Sequence, residues 1–286
     1  MAYDVKRYTP IELSSSQKQY ASVKYANHFN KASLGSLSPT ELNILHSILV
    51  ELRKYGASIL TSSENIPEII KVSISFSEIY KLCSLDARHN SEQELFKVVQ
   101  TFAQKAMSMS PLIEITPQED AIKWTYFFHA MIFDQQQKLF FIEMDQSIFR
   151  GLLLELNNGY TQFDLTEFLS IKTKYAKLLY RLLKQYKTTG YMLISIADLK
   201  AGLEIPKSYN WSAIKKQIIE KSVDELKKPF DMMDLACKRI AFANLAYEPI
   251  FSSGYRGSRG RTSVEQIKFT FDKVINKQSD PENQQQ

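Results

Sequence analysis

Between Lys172 and Lys187 the chain places six basic residues, Lys172, Lys174, Lys177, Arg181, Lys184 and Lys187, and no acidic one. Lys174, Lys177, Arg181 and Lys184 recur at three- and four-residue intervals, so on a helix they share one face. Tyr175, Leu178, Leu179, Leu182, Leu183 and Tyr186 take the opposite stripe. Like charges at this spacing repel by about 0.2–0.5 kcal/mol per pair. A one-signed row therefore suits an anionic partner, and the phosphates of a nucleic acid supply one. The plainer alternative is a solvated lysine face.

A second segment, Ser195–Lys228, has the outline of a helix-turn-helix. Ser195 can cap a helix from Ile196 to about Leu203, Ile205-Pro206-Lys207-Ser208 is a turn, and Tyr209–Lys228 predicts a longer helix ended by Pro229. Trp211, Ile214, Ile218, Ile219, Val223 and Leu226 form its apolar stripe. Lys207, Ser208, Tyr209, Asn210, Ser212, Lys215, Lys216 and Gln217 then cluster around its N-terminal end, away from that stripe. Lysine reaches guanine acceptors, asparagine pairs with adenine, and a helix N-terminus favours phosphate. Two helices packed for stability alone would share the outline.

The third segment is the loop 252–262, with Arg256, Arg259 and Arg261 among three glycines and no acidic residue. Glycine permits close backbone approach, and arginine fits phosphates and narrow minor grooves. Set between two strands and directly after a helix-turn-helix, this loop reads as a basic wing. The three segments together define the candidate DNA-binding residues, and the combination is more specific than any one of them.

Several catalytic patterns are missing. There is no G-x-x-x-x-G-K-[ST] phosphate loop and no G-x-S-x-G elbow. His28, His46, His89 and His129 are scattered, and none has a second histidine two residues on, the arrangement of a rolling-circle nickase metal site. No Cys/His cluster has zinc spacing. The expectation is a protein that is not an enzyme and needs no cofactor or metal.

These segments lie in the more basic half of the chain. Residues 1–150 hold 15 Lys+Arg against 16 Asp+Glu, while 151–286 hold 21 against 15, within a net charge of +5. A localised positive field suits a polyanion. The length, 286 residues, favours two domains, and 44% hydrophobic residues can build a core in each. Cys83 and Cys237 stand far apart, so a reducing, cytoplasmic setting is expected. No signal-peptide core or membrane-spanning run is evident.

The remaining elements follow from period and punctuation. Residues 1–16 are expected as a flexible arm and 17–30 as a helix. Ser38-Pro39-Thr40-Glu41 reads as a capping box opening a helix whose Leu42, Leu45, Leu49 and Leu52 form a core stripe or a dimer seam, ending near Tyr55-Gly56. Short helices are predicted over 76–83 and about 91–107, then a β-hairpin of 122–129 with 138–143 across Asp134-Gln135-Gln136-Gln137. A helix over 146–156 leads to Asn157-Asn158-Gly159, the expected domain boundary. Beyond it Asp164 caps a helix over 165–169, a long helix covers 171–187, strands are predicted over 191–194, 238–247 and 264–271, and 278–286 is a disordered polar tail. Helices followed by a hairpin, twice over, define an α+β chain of two tandem winged-helix domains, 17–156 and 160–277.

The second half resembles the initiator replication proteins of iteron plasmids. The residues that carry the likeness are the run Ser170-Ile171-Lys172-Thr173-Lys174-Tyr175-Ala176-Lys177-Leu178-Leu179-Tyr180-Arg181-Leu182-Leu183-Lys184-Gln185-Tyr186, then Ile196-Ala197-Asp198-Leu199-Lys200, Tyr209-Asn210-Trp211 and Val223-Asp224-Glu225-Leu226. The family pattern has a tighter S-K pair where this chain has Ile171-Lys172-Thr173. Residues 30–145 resemble the family's first winged helix in element order and hairpin placement only. The resemblance implies a plasmid replication initiator of the bacterial cytoplasm. Monomers bind repeated double-stranded origin DNA (iterons), help to open it and recruit the host initiator and helicase machinery. Dimers, formed through the first domain, repress the protein's own gene, and the second domain makes most major-groove contacts. A tandem winged-helix transcriptional repressor is the alternative.

Overall fold

The computed structural model describes residues 22–34, 36–62, 66–82, 92–109, 112–116, 121–231, 238–252 and 263–273. The expected arm 1–16, the tail 278–286, both cysteines and Arg256, Arg259 and Arg261 lie outside these residues.

The chain enters as a strand, β1 (Ser22–Ala26), and a 3-10 turn over Asn27–Lys31, where a helix was expected. Val23 and Tyr25 are buried and alternate with Ser22 and Lys24, which is strand periodicity. Helix α1 (Pro39–Ser62) opens as expected: the Ser38 amide donates to Glu41 Oε2 (2.6 Å) and the Glu41 amide to Ser38 Oγ (3.3 Å). It runs past Gly56 because that glycine makes room rather than a stop. A Cβ there would lie 2.7 Å from the Phe149 ring. Leu42, Leu45, Leu49 and Leu52 are all buried in the core.

Strand β2 (Ile69–Ser75), helix α2 (Phe76–Leu82) and helix α3 (Glu92–Met107) follow, then strands β3 (Leu112–Thr116), β4 (Ala121–Thr125), β5 (Ala130–Asp134) and β6 (Leu139–Asp145). Two hairpins form where one was expected. β4 pairs with β3, and β6 pairs with β5 and β2, giving the sheet order β2-β6-β5. The run 122–129 is not one strand: β4 ends at Thr125, β5 begins at Ala130, and Phe127 and Phe128 are buried in the link between them. Helix α4 (Gln146–Phe149), capped by Asp145, passes into a π-helical turn over Arg150–Leu154.

The turn at 157–159 joins elements of one unit. Gly159 has φ +94°, and its carbonyl accepts from the Asn27 amide (3.2 Å). Strand β7 (Tyr160–Asp164), directly beyond it, pairs antiparallel with β1, so the expected boundary does not separate two bodies there. Asp164 caps helix α5 (Leu165–Ser170) as expected. Helix α6 (Lys174–Gln185) starts later than expected and packs against α1, β7 and the 3-10 turn.

The last part repeats the order of the first. Strand β8 (Tyr191–Ser195) leads to helix α7 (Ile196–Gly202), then to a helix in three pieces: α8 (Trp211–Ala213), a π-helical stretch Ile214–Ile219, and α9 (Glu220–Leu226). Short strands β9 (Pro229–Asp231) and β10 (Lys238–Ile240) pair with each other. The strand expected over 238–247 breaks around Asn244, where φ is +55°. Strands β11 (Ala246–Phe251) and β12 (Val264–Thr270) close the sheet β11-β12-β8. In both parts the first strand pairs with the third, which pairs with the second. Each part is thus a winged helix with α1 or α6 as its first helix. Met192, Ile267 and Phe269 face its helices from the second sheet, and all three are buried.

Candidate nucleic-acid interface

The helix-turn-helix is assembled as expected. Ser195 Oγ accepts from the Asp198 amide (2.9 Å) and starts α7. Leu199, Leu203, Ile205, Ile214, Ile218, Ile219, Val223 and Leu226 are buried between its helices and the sheet. The turn contains Glu204 in the left-handed region (φ +48°), a conformation that costs a non-glycine residue about 1–2 kcal/mol. Lys200 Nζ donates to the Tyr209 carbonyl (3.0 Å), which draws the turn onto α7.

Asn210 Oδ1 accepts from the Ala213 amide (2.9 Å), so Asn210 is the N-cap of α8. That acceptor is therefore engaged with the helix. Lys207, Ser208, Ser212, Lys216 and Gln217 are exposed around this helix start, and Tyr209 and Lys215 are half-buried. Lys215 Nζ stands 3.9 Å from Glu220 Oε1, a loose approach at a largely exposed site. A solvated pair of this kind constrains a lysine little. The π-helical stretch carries Lys215, Lys216 and Gln217 and widens the helix at the place where a groove-reading helix meets the bases.

The β11–β12 hairpin is paired up to its last described residues. Phe251 pairs with Val264, and the Ser252 amide donates to the Ser263 carbonyl (3.0 Å). In sequence, Arg256, Arg259 and Arg261 fall between Ser252 and Ser263, outside the described residues.

The cationic row of α6 does something else. Lys177, Arg181 and Lys184 are 0%, 2% and 8% exposed, which rules them out as phosphate contacts in this fold and corrects the expectation. Lys177 Nζ donates to the Phe168 carbonyl (2.5 Å) and lies 4.2 Å from that ring's centroid. Arg181 donates to the Phe29 carbonyl (3.0 Å) and to Tyr25 Oη (3.3 Å). Lys184 Nζ sits 2.6 Å from Glu167 Oε1. Asn30 completes the seam, accepting from Tyr25 Oη (3.0 Å) and donating to Thr161 Oγ1 (2.7 Å) and Gln185 Oε1 (3.0 Å). The row is an internal tether that binds α6 to β1, the 3-10 turn and α5. Of the expected residues on this helix, Lys174 is half-buried, and Lys172, ahead of it, is exposed.

His46 lies in the same interior, with its ring 4.2 Å from that of Phe168 and Nδ1 2.7 Å from the Leu42 carbonyl. Burial, and then the Arg181 charge, hold the imidazole well below its ordinary pKa. Burial likewise raises the phenols of Tyr180 and Tyr25.

A sheet ordered first-third-second, a helix-turn-helix and a closing β-hairpin, preceded by a second unit of the same order, define a tandem winged-helix DNA-binding protein. Family models agree: the one described as Initiator Replication protein, WH1 matches residues 22–184, and the one described as Initiator Rep protein, WH2 matches 195–271. The chain belongs to the initiator replication protein family. The two matched stretches meet between 184 and 195, after α6 rather than at Asn157-Asn158-Gly159. A "Probable replication protein rep" of Bifidobacterium longum (strain NCC 2705) is 28% identical over 187 residues, covering 65% of this chain and 57% of that protein. The chain thus matches somewhat over half the length of that relative. Among solved structures, the Pi initiator protein in complex with iteron DNA superposes with a TM-score of 0.57 at 14% identity, over 88% of this chain and 97% of that one. At that identity the likeness concerns the fold.

Among the described residues, no group of three or more His, Cys, Asp or Glu could hold a metal ion, and no helix is long and apolar enough to cross a membrane.

Proposed function

We propose that this chain is a plasmid replication initiator that binds repeated sequences in double-stranded origin DNA through its second winged helix. The observation that carries the reading is the helix capped by Asn210, around whose start Lys207, Ser208, Ser212 and Lys216 are exposed and Lys215 is half-buried. The solved relative was captured on iteron DNA, and the family of this chain is that of initiators. Lys215 and Lys216 read bases in the major groove, and Arg256, Arg259 and Arg261 hold phosphates or the minor groove. The protein acts by binding and not by catalysis, in the bacterial cytoplasm. It opens the adjacent duplex, recruits the host initiator and helicase machinery, and represses its own gene as a dimer.

A gel shift of the full chain with its own origin tests this. The expected result is a ladder of complexes, one per repeat, at moderate salt. A single complex on an operator, with no ladder on any repeat array, would replace the initiator reading with that of a repressor. A metal-dependent cut in supercoiled origin DNA would overturn the binding-only mechanism.

A further inference from the structure

The Val223-Asp224-Glu225-Leu226 segment at the far end of the reading helix has no part in the DNA chemistry above, yet it holds an unusual set of bonds. Glu225 Oε1 accepts from the amides of Lys172 (2.5 Å) and Thr173 (3.2 Å), and Oε2 accepts from Thr173 Oγ1 (2.5 Å). Thr173 is the N-cap residue of α6, with the extended backbone of a cap (φ −96°, ψ 147°), but its hydroxyl makes no cap bond within α6. The carboxylate of another helix occupies the front of this helix start instead. A carboxylate suits the place, since it only accepts, takes several donors at once, and carries the charge that a helix N-terminus favours. Its partners are Lys172 and Thr173, within the three residues by which this chain departs from the S-K pattern.

The other end of the helix-turn-helix is held as well. Glu204, in the turn after α7, accepts from Ser33 Oγ in the first winged helix. The reading unit is therefore fastened at its turn to the first domain and at its C-terminal end to α6, which the buried cations lock into the first domain.

We propose that Glu225 is a positioning residue for DNA reading: by clamping the start of α6 it fixes the direction of the reading helix relative to the first domain. The clamp also sets where Lys172, Lys221 and Lys228 stand around the cleft they line between α9 and the α5–α6 link. A helix free to pivot at this point still offers its lysines to phosphate. It loses the fixed angle that bidentate base recognition demands, so sequence discrimination falls and general affinity does not.

The inference rests on the DNA reading proposed above, and the experiment separates the two. The full chain is compared with Glu225→Ala, Glu225→Gln and Thr173→Val in amide exchange without DNA, and in binding to origin repeats and to a scrambled duplex of equal length. Glu225→Ala is expected to speed exchange of the Lys172 and Thr173 amides about ten-fold and weaken repeat binding about ten-fold. Binding to scrambled DNA should stay within about two-fold. Glu225→Gln, whose carbonyl can still accept from both amides, should recover repeat binding to within about three-fold of the parent. Thr173→Val, which keeps the carboxylate and removes one donor, should lose about three-fold, and it serves if the alanine variant does not fold. Parent-like repeat binding by both Glu225→Ala and Thr173→Val overturns the proposal. So does an equal loss on both duplexes, or a Gln variant no better than Ala. Failure of the parent to prefer repeats removes the DNA reading and this role with it, while fast exchange in Glu225→Ala alone would still show the clamp.

Discussion

The third helices of the two winged domains, α3 and the α8–α9 helix, follow the same strand and second helix and present opposite chemistry. α3 opens with Glu92, Gln93 and Glu94, all exposed, and its inner-face Lys105 is bound to Glu41 (2.8 Å). The β5–β6 turn beside it is short, with one cation, Lys138, which pairs with Glu92 (2.6 Å). The second domain opens its helix with Asn210, Ser212, Lys215 and Lys216, and its sequence carries three arginines between β11 and β12. A negative charge at the start of α3 suits the helix dipole but repels a phosphate backbone. One scaffold thus carries two helix starts of opposite charge, and of the two the second is the one suited to phosphate.

A second contrast lies among the cations themselves. Lys177, Arg181 and Lys184 of α6 are sealed inside while Lys215 and Lys216 reach solvent, so substitution should separate stability from binding. The largest effect is expected at Glu167: Glu167→Ala strands Lys184 in the interior and should cost about 3–5 kcal/mol in chemical denaturation. A Lys184→Met, Glu167→Leu double variant should recover much of that loss. If Glu167→Ala instead leaves stability alone and weakens DNA binding, the division between inner and outer cations is wrong.

Lys215→Ala and Lys216→Ala should do the reverse. Each leaves the denaturation midpoint in place and narrows the gap between specific and scrambled DNA by about 1–3 kcal/mol, read in competition binding. Next comes pH. His46 has a lowered folded pKa, so the unfolded chain binds its proton first as pH falls. Its contribution to stability is complete above the ordinary value of about 6.5 and is lost below it, at up to about 1.4 kcal/mol per pH unit. Denaturation at pH 7.5 and 5.5 should show this loss, and His46→Leu should shrink it. The smallest effects are electrostatic. Arg256→Ala, Arg259→Ala and Arg261→Ala should each reduce the salt slope of DNA binding by about one for every phosphate the variant no longer neutralises. Glu92→Lys, at the start of α3, should change repeat binding by less than about three-fold, as the proposed assignment of base reading to the second winged helix requires. A large gain or loss there would bring α3 into the interface.

How far the sequence alone reveals this arrangement depends on the range of the interaction involved. The capping box at Ser38–Glu41, the caps at Asp164 and Ser195, the helix-turn-helix and the β11–β12 hairpin are local patterns, and they were legible. The direction of the α6 row was not. Three- and four-residue spacing says that Lys177, Arg181 and Lys184 share a face, and it is silent about what covers that face. The cover is remote in the chain: Tyr25, Phe29, Glu167 and Phe168. One sign was available, since the apolar residues of 176–183 wrap more than half of the helix, more than a helix with one buried side requires. The entry strand stands where a helix was expected, although the alternation of Val23 and Tyr25 with Ser22 and Lys24 carries the strand period. Asn210 stands at the start of the helix, where it was expected, and serves that start with its carbonyl, a use that composition does not separate from base recognition.

The position of α6 bears on how such proteins can be recombined. By order it is the opening helix of the second domain, yet its charged edge is lodged in the first. A graft that exchanges the DNA-reading half with a relative's cannot be cut at the 157–159 turn without breaking the β1–β7 pair, nor just before α6 without leaving foreign residues against Tyr25, Phe29 and Glu167. The crossover that respects both surfaces falls after α6, near Gly190. There a positive φ of 78° already turns the chain, and a new second half would inherit its first helix from the old protein.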